Sequence, residues 1–142
     1  MEESIKRLLG IQGWIVYQVR EEADRTVVRV GRPKKGARCE RCGGLSFAVH
    51  QRMRWRQVWH MAVGGRKVYL EIRARRYWCR NCQRAFTEGC KEIRKWGRRS
   101  HLAEALLLGE LREQSFGAVE RKSGLGYRAL RGVVERAKVD VA

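Results

Sequence analysis

Cys39-Glu-Arg-Cys42 and Cys79-Arg-Asn-Cys82 decide how the front of this chain folds. Two residues between cysteines let one tight turn aim both thiols at a single ion. Two such knuckles supply four sulfur ligands, and four thiolates around Zn²⁺ make a closed tetrahedral site with no position left for water. One structural Zn²⁺ held by Cys39, Cys42, Cys79 and Cys82 is therefore expected, without Lewis-acid chemistry. Its binding should contribute roughly 10–16 kcal/mol to folding, as in zinc-finger peptides. The 36 residues between the knuckles exceed the usual spacing of roughly 15–20, so a hairpin must return the chain. Two disulfides, four buried thiols or an Fe–S cluster are the competing readings. Cys90 is expected to be an inert thiol outside the ligand set. His50 and His60 lie between the knuckles, where a polar or stacked surface role is the expectation for each.

Upstream, residues 4–9 read as a short helix stopping at Gly10. Residues 14–19 and 26–30 are rich in β-branched and aromatic side chains and flank a polar stretch, which is a hairpin pattern. Arg32-Pro-Lys-Lys-Gly36 is a basic turn leading to the first knuckle. Between the knuckles a third strand is expected over 47–58, with a turn at Gly64-Gly65. Residues 67–77 then alternate: Val68, Leu70, Ile72 and Ala74 face inward, while Tyr69, Glu71, Arg73, Arg75 and Tyr77 form a basic, aromatic outer face.

After about residue 98 the period becomes helical, with Leu102 and Leu106 marking an apolar face widened by Ala105, Leu107 and Leu108, and Ser100 as the cap. Further helices are expected over 115–122 and 126–138. Ser115 reads as an N-cap, Gly124 as a turn residue tolerant of positive φ, and Val119, Leu125, Leu130 and Val133 as a small core. This is a helix-turn-helix pattern, with Glu120 standing where a small residue is usual. In such motifs the start of the second helix enters the major groove, so Tyr127, Arg128 and Arg131 are expected to read bases. Ser115, Arg121 and Lys122 are expected on phosphate. A plain helical hairpin with a solvated basic face is the alternative. The whole is expected to be α+β: a small antiparallel β zinc ribbon over 1–90, then a three-helix helix-turn-helix module over 91–142.

Lys and Arg number 32 against 15 acids, a net charge of +17. Residues 1–90 carry 20 basic and 8 acidic side chains, a net of +12, and residues 91–142 carry 12 and 7, a net of +5. A charge this large points to nucleic acid or an anionic surface as partner. Basic runs lie at Arg52-Met-Arg54-Trp-Arg56, Arg73-Ala-Arg75-Arg76 and Arg94-Lys-Trp-Gly-Arg-Arg99. Arg54, Arg56, Arg73 and Arg75 are the expected phosphate contacts, with Trp55 and Trp59 in the core. No run approaches the roughly 18 apolar residues of a membrane span. The chain opens with acids, Glu2 and Glu3, where a secretory leader has bases, and lacks a long apolar core. A cytoplasmic, nucleoid-associated protein without a membrane partner is therefore expected, and in that compartment paired cysteines favour metal.

The order of these parts resembles the N-terminal region of the ISL-type insertion-sequence transposases. The likeness begins at Leu8-Leu9-Gly10-Ile11 and continues through Arg38-Cys-Glu-Arg-Cys42, the 55–65 segment and Tyr69-Leu-Glu-Ile-Arg73. It then runs through Arg76-Tyr-Trp-Cys-Arg-Asn-Cys-Gln-Arg-Ala-Phe-Thr87 and reappears at Ser115-Phe-Gly-Ala-Val119 and Gly124-Leu125. The resemblance implies sequence-specific binding of double-stranded DNA at the terminal repeats of a mobile element, or a regulator derived from that role. Relatives of this type cut DNA with a carboxylate triad on a separate domain. This chain has two aspartates, Asp24 and Asp140, so binding is carried over and catalysis is not. The second choice is an RNA-binding, ribosome-associated zinc protein. A homodimer is a further option, since helix-turn-helix proteins pair on palindromes and the helix expected from residue 102 offers an interface.

Overall fold

The computed structural model describes residues 2–141 apart from 12, 34, 35, 64, 91, 95 and 96. Lys34 and Lys35 of the first basic turn, Gly64 of the Gly-Gly turn, and Lys95 with Trp96 thus lie outside the described residues.

Helix α1 (Glu2–Leu9) ends where the sequence stops it. Gly10 takes a φ of 67°, the Ile11 amide donates to the Lys6 carbonyl at 2.9 Å and the Gly10 amide to Arg7 at 3.3 Å. This is a left-handed helix cap that only a glycine enters without strain. It turns Ile11 into the core beside Leu9.

Strands β1 (Ile15–Glu21) and β2 (Arg25–Gly31) form the expected hairpin. Within it Val16 pairs with Val30 and Gln18 with Arg29, so Tyr17 is an extra residue in a bulge. Next come β3 (Ala37–Arg38) and β4 (Leu45–Ser46), a two-stranded ribbon around the first knuckle. The expected strand over 47–58 is two strands, β5 (Val49–Arg52) and β6 (Arg56–Val63). The one expected over 67–77 is likewise split into β7 (Arg66–Ile72) and β8 (Arg75–Cys79). Strand β9 (Arg84–Thr87) follows the second knuckle.

The two splits share a cause. Strands β5, β8 and β9 make one sheet, whereas β6 and β7 leave it and join the hairpin in a second sheet of order β1-β2-β7-β6. This explains the long spacing between the knuckles: the β6–β7 excursion is inserted into a ribbon. The β2–β7 pair is parallel, where a purely antiparallel module was expected. The intervening ribbon supplies the long crossover that parallel neighbours need. Changing sheets at Arg73-Ala74 also ends the simple alternation. Tyr77, expected on the outer face, is 1% exposed and packs in the ribbon with Phe86.

The four-stranded sheet is closed by Leu9, Ile11, Trp14, Val28, Val30, Val58, Leu70 and Ile93. The ribbon has a separate, much smaller core of Cys39, Tyr77, Cys79 and Phe86. The chain divides into the compact units Met1–Ser100 and His101–Ala142, rather than at residue 90. Residues 90–100 go with the front because Ile93 is buried in its core and the segment is stitched to β6. The Trp59 amide donates to Arg98 at 3.0 Å and the Ser100 amide to Trp59 at 2.9 Å.

The second unit consists of α2 (His101–Glu113), α3 (Phe116–Ser123) and α4 (Tyr127–Val141), which contact one another pairwise. Val119, Leu130 and Val133 are buried as expected, and Leu125 is half-buried. On α2 the buried row is Ala103 and Leu107, one position round from the expected one, so Leu102 and Leu106 are 40% and 44% exposed. The Glu104–Arg136 pair (2.6 Å) ties α2 to α4 beside this row. The Ser115 hydroxyl accepts the Ala118 amide at 3.1 Å, and Gly124 takes a φ of 77° with its amide on the Glu120 carbonyl. Replacing Ser115 with alanine is expected to cost about 1 kcal/mol in urea or thermal unfolding. An unchanged midpoint would mean that this cap does not hold α3.

Candidate metal centre and basic surfaces

Each knuckle is built by its own backbone. After Cys42 the chain turns left-handed at Gly43 (φ 75°), and after Cys82 it does so at Gln83 (φ 53°). The Gly43 amide returns to the Cys39 carbonyl, and the Cys39 amide bonds the Gly44 carbonyl, both at 2.8 Å. The Gln83 side chain holds its unusual φ by donating to the Arg80 carbonyl. The β3–β4 pair presents the first knuckle, and the β8–β9 turn presents the second.

The Sγ atoms of Cys39, Cys42, Cys79 and Cys82 all lie within 4.8 Å of one another, with Cys42–Cys79 at 3.5 Å and Cys39–Cys82 at 3.9 Å. A tetrahedron with Zn–S bonds of about 2.3 Å has edges of about 3.8 Å, so the cage fits Zn²⁺ closely. Amides from Cys42 and Arg41 point at the Cys39 sulfur and lower its pKa to about 6. The Gly44 amide, 3.4 Å from the Cys42 sulfur, lowers that thiol too. Crowding by Cys42 raises Cys82 to about 11. Four thiolates this close repel one another, and the ion that removes the repulsion is a soft dication. The four cysteines are the only such ligand cluster among the described residues, and together they form a site for one structural zinc.

Cys90 and the two histidines between the knuckles lie outside the cage. The Cys90 sulfur faces Glu92 at 3.0 Å, and burial raises its pKa to about 11. His60 was expected at the surface but is 3% exposed. The β6–β7 register skips it, pairing Trp59 with Tyr69 and Met61 with Val68, so the bulge turns the imidazole inward. There Nδ1 meets the Ser100 hydroxyl at 2.8 Å and Nε2 meets the Leu9 carbonyl, while burial lowers its pKa. His50 is exposed with its ring against Trp78.

The arginines expected on phosphate separate into two kinds. Arg54 is exposed, and so is Arg73, whose Nε donates to the Met53 carbonyl at 2.9 Å. Arg75 is instead held by Glu88 through two guanidinium bonds of 2.9 and 3.0 Å, with both side chains nearly buried. Arg56 is half-buried and donates to the Gly97 carbonyl. Trp59 is buried, whereas Trp55 is only half-buried, with the Arg29 and Arg73 guanidiniums 4.3 and 5.6 Å from its ring centroid. In the second unit Arg121, Arg128 and Arg131 are exposed and Lys122 reaches Glu110 at 3.4 Å. Tyr127 is 52% exposed beside the Phe116 ring, and the Ser115 hydroxyl is used in its cap.

The two compact units differ sharply in charge. Met1–Ser100 contains 25 basic and 9 acidic residues, a net of +16, whereas His101–Ala142 contains 7 and 6, a net of +1. Nearly all the excess charge therefore sits on the zinc-bearing unit. No helix of the described residues is long and apolar enough to cross a membrane.

Residues 35–82, which contain both knuckles, match the family model for the zinc-finger of transposase IS204/IS1001/IS1096/IS1165. No curated protein and no solved structure matches the chain.

Proposed function

We propose that this chain binds double-stranded DNA in a sequence-specific way, with the two units dividing the work. The observation that carries the proposal is the charge partition: +16 on the unit built around a transposase-type zinc finger and +1 on the helices. Binding energy at phosphates grows with the number of cations that displace counterions, so the first unit supplies affinity. Arg54 and Arg73 are its exposed candidates from the expected set. Arg75 and Arg56 are committed to internal partners and contribute to stability instead.

Specificity is assigned to the second unit, read as a helix-turn-helix. Ser115 caps α3, Gly124 makes the turn, and α4 exposes Tyr127, Arg128 and Arg131 from its first turns while Leu130 and Val133 bury the opposite side. An arginine pairing bidentately with a guanine is worth roughly 1–3 kcal/mol of discrimination. The targets that fit are terminal repeats of a mobile element, or operator sites for a regulator derived from that role. This reading assigns recognition to the chain and no chemical step.

The test is selection of bound duplexes from a random pool by the wild type and by the Arg128→Ala, Arg131→Ala double variant. A motif that the variant loses, with its overall salt-sensitive affinity kept, is the expected result. Arg54→Ala with Arg73→Ala should weaken every sequence alike and flatten the salt dependence. Tighter binding of structured RNA than of duplex at matched salt would reject the proposal in favour of an RNA-binding protein.

A further inference from the structure

A cavity of about 340 Å³ opens within the first unit, between the four-stranded sheet and the β5-β8-β9 sheet. That volume falls in the range of small-ligand pockets. Its walls are unusual in combining flat rings with cations. Trp14, Tyr17 and Trp55 line it, and so do Arg32, Arg52, Arg56, Arg73 and Arg94. Two more lining arginines, Arg29 and Arg75, have carboxylate partners in Glu71 and Glu88. The other five have no carboxylate within ion-pair distance among the described residues. Among the described residues the Arg56 Nε is shielded from solvent without a hydrogen-bond partner, while its Nη1 donates to the Gly97 carbonyl.

The rim is shaped by the backbone. Tyr17 is the extra residue of the β1 bulge, and it is 57% exposed. Its ring lies against Gly31, where an added Cβ would sit 2.5 Å from the Cε2 carbon. The bulge aims the ring and the glycine makes room for it. Five guanidiniums without a carboxylate partner among the described residues line the hole, four of them exposed, and cations gathered in a cleft favour an anion by focusing a positive potential there. Planar rings beside them favour an aromatic group attached to that anion. A nucleotide has both: its phosphate suits the arginine forks, and its base stacks on indole, phenol or guanidinium planes.

We propose that this cavity receives one unpaired nucleotide of the bound DNA, its base among the aromatic rings and its phosphate on the arginines. The inference rests on the DNA-binding reading but uses residues other than those of α4. Exposed Arg52 and Arg94 mark where the strand would pass in and out. A free nucleotide has the same chemistry, so the test must separate the two sources.

The experiment compares affinities of the whole protein for two labelled duplexes of equal length at matched salt. One is fully paired and the other carries a single unpaired adenosine. Deoxyadenosine monophosphate is titrated in parallel. The wild type is expected to prefer the unpaired site by about tenfold, in keeping with one stacked base. Tyr17→Ala, and separately Arg52→Ala with Arg94→Ala, change exposed side chains and should bring that ratio close to one. Equal wild-type affinity for the two duplexes would overturn the pocket proposal and leave DNA binding standing. Binding of the mononucleotide without either duplex would keep a nucleotide site but defeat both the strand as its source and the DNA reading. No binding of any probe would defeat both proposals.

Discussion

Removing the zinc, by chelation or by Cys79→Ser, is expected to unfold the ribbon while the four-stranded sheet keeps most of its protection. The ribbon core consists of Cys39, Tyr77, Cys79 and Phe86, and two of these four are metal ligands. Strands β3 and β4 are two residues long each, so ladder bonds cannot hold the first knuckle in place of the ion. A module this small has too little apolar surface to offset its chain entropy. Metal-coupled folding of such a unit is worth roughly 10–16 kcal/mol. The other sheet has its own core around Val28, Val30, Val58 and Leu70 and does not use the ion. Hydrogen exchange resolved by residue reads this directly. Amides of Tyr77, Trp78 and Phe86 should exchange freely after metal removal, while those of Val28 and Leu70 stay slow. Cys90→Ser should change neither metal content nor ribbon protection, because its sulfur faces Glu92 and not the cage. Slow exchange in β8 and β9 with the metal verifiably gone would show that packing alone holds the ribbon.

What could be read in the sequence were features with local rules. The knuckles announce themselves by Cys-x-x-Cys spacing, the end of α1 by Gly10, and the α3–α4 turn by Ser115 and Gly124. The positions that escaped depend on non-local events. Alternation through 67–77 is continuous on paper, and nothing in it marks the place where the chain passes from one sheet to the other. That single change of sheet inverts Tyr77 and buries the Arg75–Glu88 pair. A bulge displaces every later residue by one, so His60 and Tyr17 could not be placed by counting in twos. The α2 face failed for a similar reason: helical period identifies two adjacent apolar rows there, and tertiary packing selects between them. The arginines of the cavity come from four separate stretches, 29–32, 52–56, 73–75 and 94, so only the fold brings them together.

Glu71 is the clearest case of a residue whose role exists only in the fold, and its loss carries the second large effect. On paper it belongs to the basic outer face of β7. In the structure it is 6% exposed, because its register partners on both sides close over it: Arg29 on β2 and Gln57 on β6. Arg29 Nε donates at 2.6 Å, and Arg20 from β1 adds a two-pronged pair at 3.1 and 3.0 Å. These donors, led by Arg20, hold the carboxyl near a pKa of about 2. Breaking a buried pair by removing one partner costs about 3–5 kcal/mol, chiefly through the charge left behind. Here the two arginines are about a third exposed (30% and 34%), so water recovers part of that. Glu71→Ala should therefore cost on the order of 2–3 kcal/mol. It should also free Arg29, whose guanidinium covers the Trp55 ring, and so loosen one wall of the cavity. The pH dependence has a definite sign. A carboxyl whose pKa is lowered in the folded state stabilises fully above its unfolded value near 4.5, and the contribution is lost as pH falls towards about 2. After discounting for screening, that is on the order of 1–2 kcal/mol, absent from Glu71→Gln. Urea unfolding of wild type and Glu71→Gln at pH 7 and pH 3 separates this from acid loss of zinc, which both proteins share and which cancels in the difference. The gap between them should narrow at the lower pH. A gap that stays constant would mean that Glu71 acts through shape and hydrogen bonding, and that its charge is not what joins β1, β2 and β7.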